Sequence, residues 1–331
     1  MSSSVRIRAH AKINLALRVG TPGADGFHPI ATIFQTVSLC DLLYAEVIKS
    51  NGAQGASAPG VSSATHDAPV RLRVEGAELP ADNTVSRAVG LLADEVRAHG
   101  VEPAALDMLL CKRVPLGAGL GGGSSDAVAA LAACARLWHV SEDLLEWGGA
   151  LHRIAAEIGS DVPFFLTGGT AMGTGRGARI EPLEPLPPTW FVLAAPDLHV
   201  STPDAYAAFD RLGGAASPPG VGGVSGAPHR YALPPVPAYE PRLSDRWMGN
   251  DLAAAVCARY PQVAVVRDRL LELGAHAAQM TGSGAATFGA FAQRREAARA
   301  AQALRAEGLW AGAFVSITSD QHRGGLFAAG R

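Results

Sequence analysis

Polar and apolar positions along this chain follow two periods, and each predicts its own kind of element. Residues 5–10 alternate and residues 13–19 are apolar, so the chain opens with strands. Residues 30–48 (IATIFQTVSLCDLLYAEVI) predict strand, turn, strand, and 70–76 (VRLRVEG) a further strand. Asn83 to Ala98 has helical spacing, with Asp82 as candidate N-cap. Residues 105–115 predict a strand that runs into a glycine-rich loop, and Ser125-Asp126 open a helix over 127–138. Ser141 is placed to cap a helix over about 142–157. Residues 159–166 read as a turn into an apolar segment, and 168–177 as a second glycine turn. A buried strand follows at 191–197 and a helix from Thr202 to Leu212. Helices near 250–258 and 261–273 come next, then strand, glycine turn and strand over 275–291. Helix 293–307 and strand 312–318 finish the pattern. Strands mixed with helices, without strict βαβ alternation, predict an α+β chain.

Two stretches break both periods. Residues 50–69 are rich in Gly, Ala, Ser and Pro and read as a mobile loop. Residues 213–238 carry a Gly/Pro load that supports neither helix nor central strand, so a disordered or loose loop is expected.

Bulk composition narrows the function. The 331 residues, 48% of them hydrophobic, suffice for two ordinary domains or one large one. A net charge of −2 lacks the basic balance of a nucleic-acid binder, yet leaves room for a small anionic substrate. Cys40, Cys111, Cys134 and Cys257 form no CxxC pair and read as reduced thiols. No signal-peptide core opens the chain, and no run reaches the roughly 18 apolar residues of a membrane span. The expectation is a soluble cytoplasmic protein that binds neither membrane nor nucleic acid. The ten histidines are scattered without zinc spacing, so no dedicated metal site is expected. No serine sits in G-x-S-x-G.

Candidate chemistry concentrates in PLGAGLGGGSSDA, residues 115–127. A flexible linker would not sit between a strand and a helix. Gly117, Gly119 and Gly122 satisfy GxGxxG, but a dinucleotide fold also needs an acidic residue about 20 positions on, at a strand end. Here that region is helix. A phosphate cradle fits best: glycines let successive N–H groups converge on one point, and the following helix adds its positive end. Ser124 and Ser125 add hydroxyl donors. It is not a Walker A loop, which needs GK[ST].

The loop resembles the signature of the GHMP kinases, a family of small-molecule kinases. Three further stretches resemble family blocks in the same order: AHAKINLALRVG with DGFHPIATIFQTVSLCDLL, then GSDVPFFLTGGTAMGTGRG, then MTGSGAATFG. The likeness spans about residues 9–290 and skips the two low-complexity stretches. The GLGGGSS form is closest to the branch whose acceptor alcohol carries a cytidine diphosphate group.

The resemblance implies a fold of two domains. Residues 1–175 would resemble a domain of ribosomal protein S5. Residues 176–331 would be ferredoxin-like, with the insertion near 213–238, and the site would lie in the cleft between. It implies ATP and Mg2+, and a monomer or homodimer. Asp161 matches the catalytic aspartate, a base for the acceptor hydroxyl. Lys12, one of only three lysines with Lys49 and Lys112, matches the lysine that stabilises developing charge. Asn83 matches a position beside the nucleotide base. Pro115, Gly117, Gly119, Leu120, Gly121, Gly122, Gly123, Ser124 and Ser125 match the ATP loop. Asn14, on the strand face of Lys12, and Thr202 match acceptor contacts. Phe27 and Tyr206 match the two rings that stack on cytosine, and His28 the residue that reads its edge. The family commonly has Tyr where this chain has Phe27; stacking needs only a ring face. Gly282, Ser283 and Gly284 match a turn that leans on the phosphate loop, although Ala285-Ala286 departs from the family's GSGPT. Lys112 sits either near the nucleotide or at a solvated strand end. The rivals are a kinase for another small alcohol, such as homoserine or mevalonate, and a non-catalytic nucleotide-binding module. An NAD-binding oxidoreductase ranks behind both.

Overall fold

A computed structural model describes residues 3–48, 70–140, 149–214 and 248–327. The expected loop at 50–69, the Ser141 cap with residues 142–148, and residues 215–238 lie outside the described residues. The first half builds a sheet in the order β3-β4-β2-β1, from β1 (Ser4–Val19), β2 (Ile30–Val47), β3 (Val70–Glu75) and β4 (Leu106–Cys111). The hairpin of β5 (Thr170–Gly175) and β6 (Arg179–Pro182) adds to β2. The expected boundary at 175 therefore falls inside this hairpin, and the glycine turn expected over 168–177 is largely strand.

Residues 30–48 form one strand rather than strand, turn, strand. β1 pairs along almost the whole of β2, whose far edge takes β5 over 30–35 and β4 over 42–47. Asp41, within that run, lies fully buried in the strand. One face of this sheet packs on α1 (Thr84–Ala98), α2 (Gly122–Leu137), α3 (Ala150–Ile158) and α4 (Val162–Thr167), through Ile7, Phe34, Val89 and Phe164 among others. The other face packs against a second sheet, where Ile13, Ile33 and Val37 meet Phe191, Leu193 and Phe288. Burial on both faces explains the near-continuous apolar runs of β1 and β2.

Helix starts differ from expectation in two places. Asn83, not Asp82, caps α1: its side-chain oxygen accepts from the N–H groups of Val85 and Ser86. α2 begins at Gly122, inside the glycine run, ahead of the expected Ser125. The expected apolar segment after 159 is α4, with Pro163 in its first turn.

The second sheet contains β7 (Trp190–Ala195), β9 (Ala277–Met280), β10 (Thr287–Phe291) and β11 (Trp310–Val315) in the order β11-β7-β10-β9. Its pairs are all antiparallel. The chain visits it as strand, helix, strand, strand, helix, strand, with α7 (Pro261–Glu272) and α8 (Arg294–Ala306) as the two crossover helices. That order is the ferredoxin-like split βαβ arrangement. α5 (Thr202–Arg211) and α6 (Ala253–Arg259) share a core with Leu17 and Val19 of β1, and β8 (Gly249–Asn250) pairs with β1.

The last described element is absent from the sequence pattern. Thr318 and Gln321 form a reciprocal capping box at the start of α9 (Ser319–Phe327). This helix buries His322 against His10 of β1, with the two Nδ1 atoms 3.4 Å apart. His322 Nε2 faces the carbonyl of Phe165 at 2.7 Å, so that nitrogen carries the proton. Nδ1 of His322 is then the acceptor and His10 Nδ1–H the donor.

Burial first, then His322 and Arg8, push His10 from 6.5 down to about 3. The unfolded chain takes up this proton near pH 6.5 and the folded chain only near pH 3. Between those values the unfolded state binds more protons, so stability falls as pH falls. Denaturant unfolding at pH 5 should show a loss of about 2 kcal/mol relative to pH 7 from His10 alone. The slope with pH should shrink in His10→Asn; an unchanged slope would show that His10 titrates as it does in the unfolded chain.

Candidate active site

Two irregularities in the β1–β2 register, after His10 and after Asn14, bracket Lys12 and Asn14. Such irregularities re-aim side chains and free backbone groups from the ladder. The Lys12 N–H donates to the carbonyl of Leu120 in the glycine loop (3.0 Å). The Asn14 N–H donates to Thr281 Oγ1 (2.8 Å), just after β9 of the second sheet. Lys12 Nζ donates to Asn14 Oδ1 (2.7 Å), and Asn14 Nδ2 donates to Thr32 Oγ1 (2.7 Å). Lys12 is only 3% exposed. Its ammonium lies 5.5 Å from the centre of the Phe34 ring and 3.2 Å from Asp161 Oδ2.

Asp161 occupies the N-cap position of α4, but its side chain makes no capping bond. The carboxylate is 34% exposed and faces the buried ammonium. A charged pair with one member buried and the other open is suited to meeting a reacting hydroxyl. Tyr206, on α5, borders the same space: burial, with the charge of Asp161 added, pushes its phenol up to about 12.

The glycine loop passes directly over this pair. Gly121 has φ +70°, and a Cβ there would lie 2.8 Å from the Phe165 ring and 3.0 Å from Lys12 Cγ. Gly119 has φ +77°, and its Cβ would lie 2.6 Å from the carbonyl oxygen of Thr281. Only glycine allows both the left-handed backbone and the approach. The C-terminal turn rests on this loop, with the Ala286 N–H donating to the carbonyl of Ala118 (3.2 Å). Thr202 Oγ1 and Ser283 Oγ are 2.9 Å apart, joining the start of α5 to that turn. Beyond the loop, the first N–H groups of α2 have no intrahelical acceptor. Ser124 is part-exposed there, and the Ser125 hydroxyl is buried without a hydrogen-bond partner among the described residues. Pro115 leads into the loop, half-buried.

Other positions take different places. Asn83 is occupied as the α1 cap, its amide donating to the carbonyl of Pro80 (3.0 Å). Its neighbour Thr84 donates to the carbonyl of Gly123 (2.7 Å), so α1 is tied to the loop all the same. Lys112 is ruled out of the solvated strand end by its burial, and its Nζ lies 3.2 Å from where a Cβ on Gly122 of the loop would sit. It is buried under the start of α2, where Nζ donates to Asp41 Oδ2 (2.5 Å) and Asp126 Oδ2 (2.6 Å). Asp41 Oδ1 also accepts from the N–H groups of Arg113 and Val114. Burial works against the Lys112 ammonium, but Asp126 and Asp41 hold it above its usual value. The same burial pushes the Asp126 carboxyl up. This charged cluster anchors the strand end that feeds the loop.

His28 and Tyr206 come together, with ring centroids 5.3 Å apart. His28 Nδ1–H donates to the carbonyl of Gly20 (2.8 Å), leaving Nε2 as its other polar atom, 3.3 Å from Asp210 Oδ2. Phe27 is 56% exposed, and the Arg176 guanidinium lies 3.8 Å from its ring centre. Among the described residues Phe27 makes no ring contact with Tyr206. Thr281, Thr32 and Asp41 carry the site without standing out in the sequence. Thr281 lies in the quoted MTGSG stretch, and Asp41 is a lone acid in an apolar run. No group of three or more His, Cys, Asp or Glu that could hold a metal gathers among the described residues. No helix there is long and apolar enough to cross a membrane.

An α+β fold of two facing sheets, each backed by helices, a glycine cradle at a helix N-terminus and a lysine–aspartate pair beneath it define a small-molecule kinase of the GHMP class. The GHMP kinases N terminal domain family matches residues 83–169, and the GHMP kinases C terminal family matches residues 243–308. GHMP kinases use ATP and a small-molecule acceptor. The chain is 38% identical over 299 residues to a 4-diphosphocytidyl-2-C-methyl-D-erythritol kinase of Solibacter usitatus, covering 90% of this chain and 84% of that one. It is 35% identical to the protein of the same name from Moorella thermoacetica, covering 90% and 93%. A crystal structure of 4-(cytidine 5'-diphospho)-2C-methyl-D-erythritol kinase matches with a TM-score of 0.68 and 32% identity, over 94% of this chain and 98% of that one. The chain belongs to this family of GHMP kinases.

Proposed function

We propose that the protein transfers the γ-phosphoryl group of ATP to the 2-hydroxyl of 4-diphosphocytidyl-2-C-methyl-D-erythritol, giving the 2-phosphate and ADP. This is a step of non-mevalonate isoprenoid precursor synthesis. The 3.2 Å pairing of buried Lys12 with half-open Asp161 beneath the glycine loop carries the reading. Asp161 accepts the proton of the acceptor hydroxyl as its oxygen bonds to the γ-phosphorus. The bond from that phosphorus to the bridging oxygen breaks, and ADP leaves. Lys12, held by Asn14, stabilises the charge that develops on the transferred group. Asn14 thereby serves the acceptor side through Lys12. The N–H groups of Gly121, Gly122, Gly123 and Ser124 receive the phosphates at the positive end of α2. Pro115, Gly117, Gly119 and Leu120 shape the loop, Thr84 braces it from α1, and Asn83 caps that helix on the side of the nucleotide base.

Mg2+ accompanies ATP in this reading. It prefers oxygen donors and keeps most of its ligands as phosphate and water, and the Ser125 hydroxyl, unpartnered among the described residues at the start of α2, fits that donor set. When bound, it neutralises phosphate charge.

His28, Tyr206 and Phe27 form the cytosine end. With Nδ1–H committed to Gly20, His28 Nε2 is the atom left to read the base. Tyr206 supplies a ring face, and Phe27 supplies the opposite face once it turns inward. Thr202 borders the acceptor from the start of α5. We place the division between the halves after the β5–β6 hairpin, past Pro182, and the chain works as a cytoplasmic monomer or homodimer.

The experiment is ADP release by purified protein with ATP and magnesium, offered the cytidyl alcohol, homoserine or mevalonate. Turnover with the cytidyl compound alone, giving a product heavier by one HPO₃ unit, is expected. Turnover with homoserine or mevalonate instead would retain the kinase and overturn the pocket.

A further inference from the structure

The chain leaves the second sheet after β11 and returns to the first. The Ile317 N–H donates to the carbonyl of Thr36 (2.9 Å), and Gln35 Nε2 donates to the carbonyl of Ile317 (3.0 Å). α9 follows at once, beyond the last residue of the C-terminal family match. Its first turns contact the two elements that carry the catalytic pair. On one side, His322 receives the Nδ1–H of His10, two residues before Lys12 on β1. On the other, His322 Nε2–H donates to the carbonyl of Phe165 (2.7 Å), and Ser319 Oγ donates to the carbonyl of Thr167 (2.7 Å). Both carbonyls belong to the last turn of α4, where helix carbonyls lack intrahelical partners. The approach is close: a methyl group on Gly168 would lie 2.2 Å from the His322 ring. Asp161 stands at the other end of α4, a helix of six residues. So short a helix does not hold its own orientation. Leu326, fully buried in the core under β1, secures the far end of α9.

We propose that α9 is a clamp that sets the Lys12–Asp161 geometry, with His322 as its positioning residue. It bonds to the strand of Lys12 and to the helix of Asp161, and touches neither reacting group. This rests on the assignment of Lys12 and Asp161 as the catalytic pair. The mode of action is orientation, where displacement by about 1 Å can lower a rate by about 10²-fold.

The test compares full-length His322→Ala, His322→Gln and Ser319→Ala with wild type. Steady-state kcat and KM are measured for ATP and the acceptor that wild type uses. Amide hydrogen exchange of residues 160–168 reads the clamp without any substrate. His322→Ala should lower kcat about tenfold with both KM values within about twofold, and should speed exchange in α4. His322→Gln keeps an N–H for the Phe165 carbonyl and should restore most of kcat. Ser319→Ala, at a half-buried position that does not threaten folding, should lower kcat about threefold. A wild-type kcat in both alanine variants would overturn the clamp. So would faster exchange confined to α9, or a loss carried wholly by KM. If His322→Ala does not fold, Ser319→Ala decides by the same criteria. Faster α4 exchange in a protein inactive on every alcohol would uphold the clamp and overturn the catalytic assignment instead.

Discussion

Asp161→Asn should lower kcat by about 10³-fold, within the range for loss of a positioned general base. Asparagine keeps the shape of the side chain and can still accept from the Lys12 ammonium. It cannot take the proton of the acceptor hydroxyl. Asp161 caps nothing with its side chain, so α4 should survive the change. KM for ATP should move little, because the phosphates rest on the loop and not on this carboxylate. The check is kcat at saturating substrates beside a thermal unfolding scan. A folded variant that keeps near-normal turnover would remove Asp161 from the mechanism.

Gly119→Ala should damage ATP binding and stability together. Its φ of +77° is a region that alanine enters only with strain, and its Cβ would lie 2.6 Å from a backbone oxygen. That oxygen belongs to Thr281, whose side chain holds Asn14 and, through it, Lys12. A flexible side chain could turn away, whereas this backbone cannot. The loop must shift, and the cradle with it. Stability should fall by roughly 1–3 kcal/mol. KM for ATP should rise by about tenfold, the equivalent of about 1.4 kcal/mol of lost binding. Denaturant unfolding and ATP titration of kcat measure the two effects. An unchanged KM for ATP would mean that the phosphates do not rest where the loop meets the Thr281 turn.

Much of the fold was legible because its signals are local. The period of Asn83 to Ala98 gave α1, and the glycine run between an apolar strand and an alanine-rich segment gave the cradle. Misreadings fell where burial overrode local chemistry. Residues 30–48 read as strand, turn, strand, but they form one strand in which Asp41 is a buried counter-ion of Lys112. Residues 170–175 look like a glycine turn but pair with β2. Asn83 won the cap from Asp82 because its side chain reaches two helix N–H groups. α9 carried a readable Thr318–Gln321 capping box, but its short run of Gly and polar residues hides any apolar stripe.

The site divides in the same way. Sequence by itself determined the family, and it singled out the glycine loop, Lys12 and Asp161 as the candidate phosphate cradle and catalytic pair, since each lies in a contiguous motif. The tertiary structure alone decided which groups touch. Lys12 meets Asp161 because irregularities in β1 turn the lysine toward the start of α4. Asn14 is held by Thr281 because the second sheet packs across the first. Lys112 is a buried cation between Asp41 and Asp126 rather than a solvated strand end, and α9 returns from the second sheet to bond to both β1 and α4. Backbone preference acts over a few residues, whereas burial and charge pairing act between segments that only packing brings together.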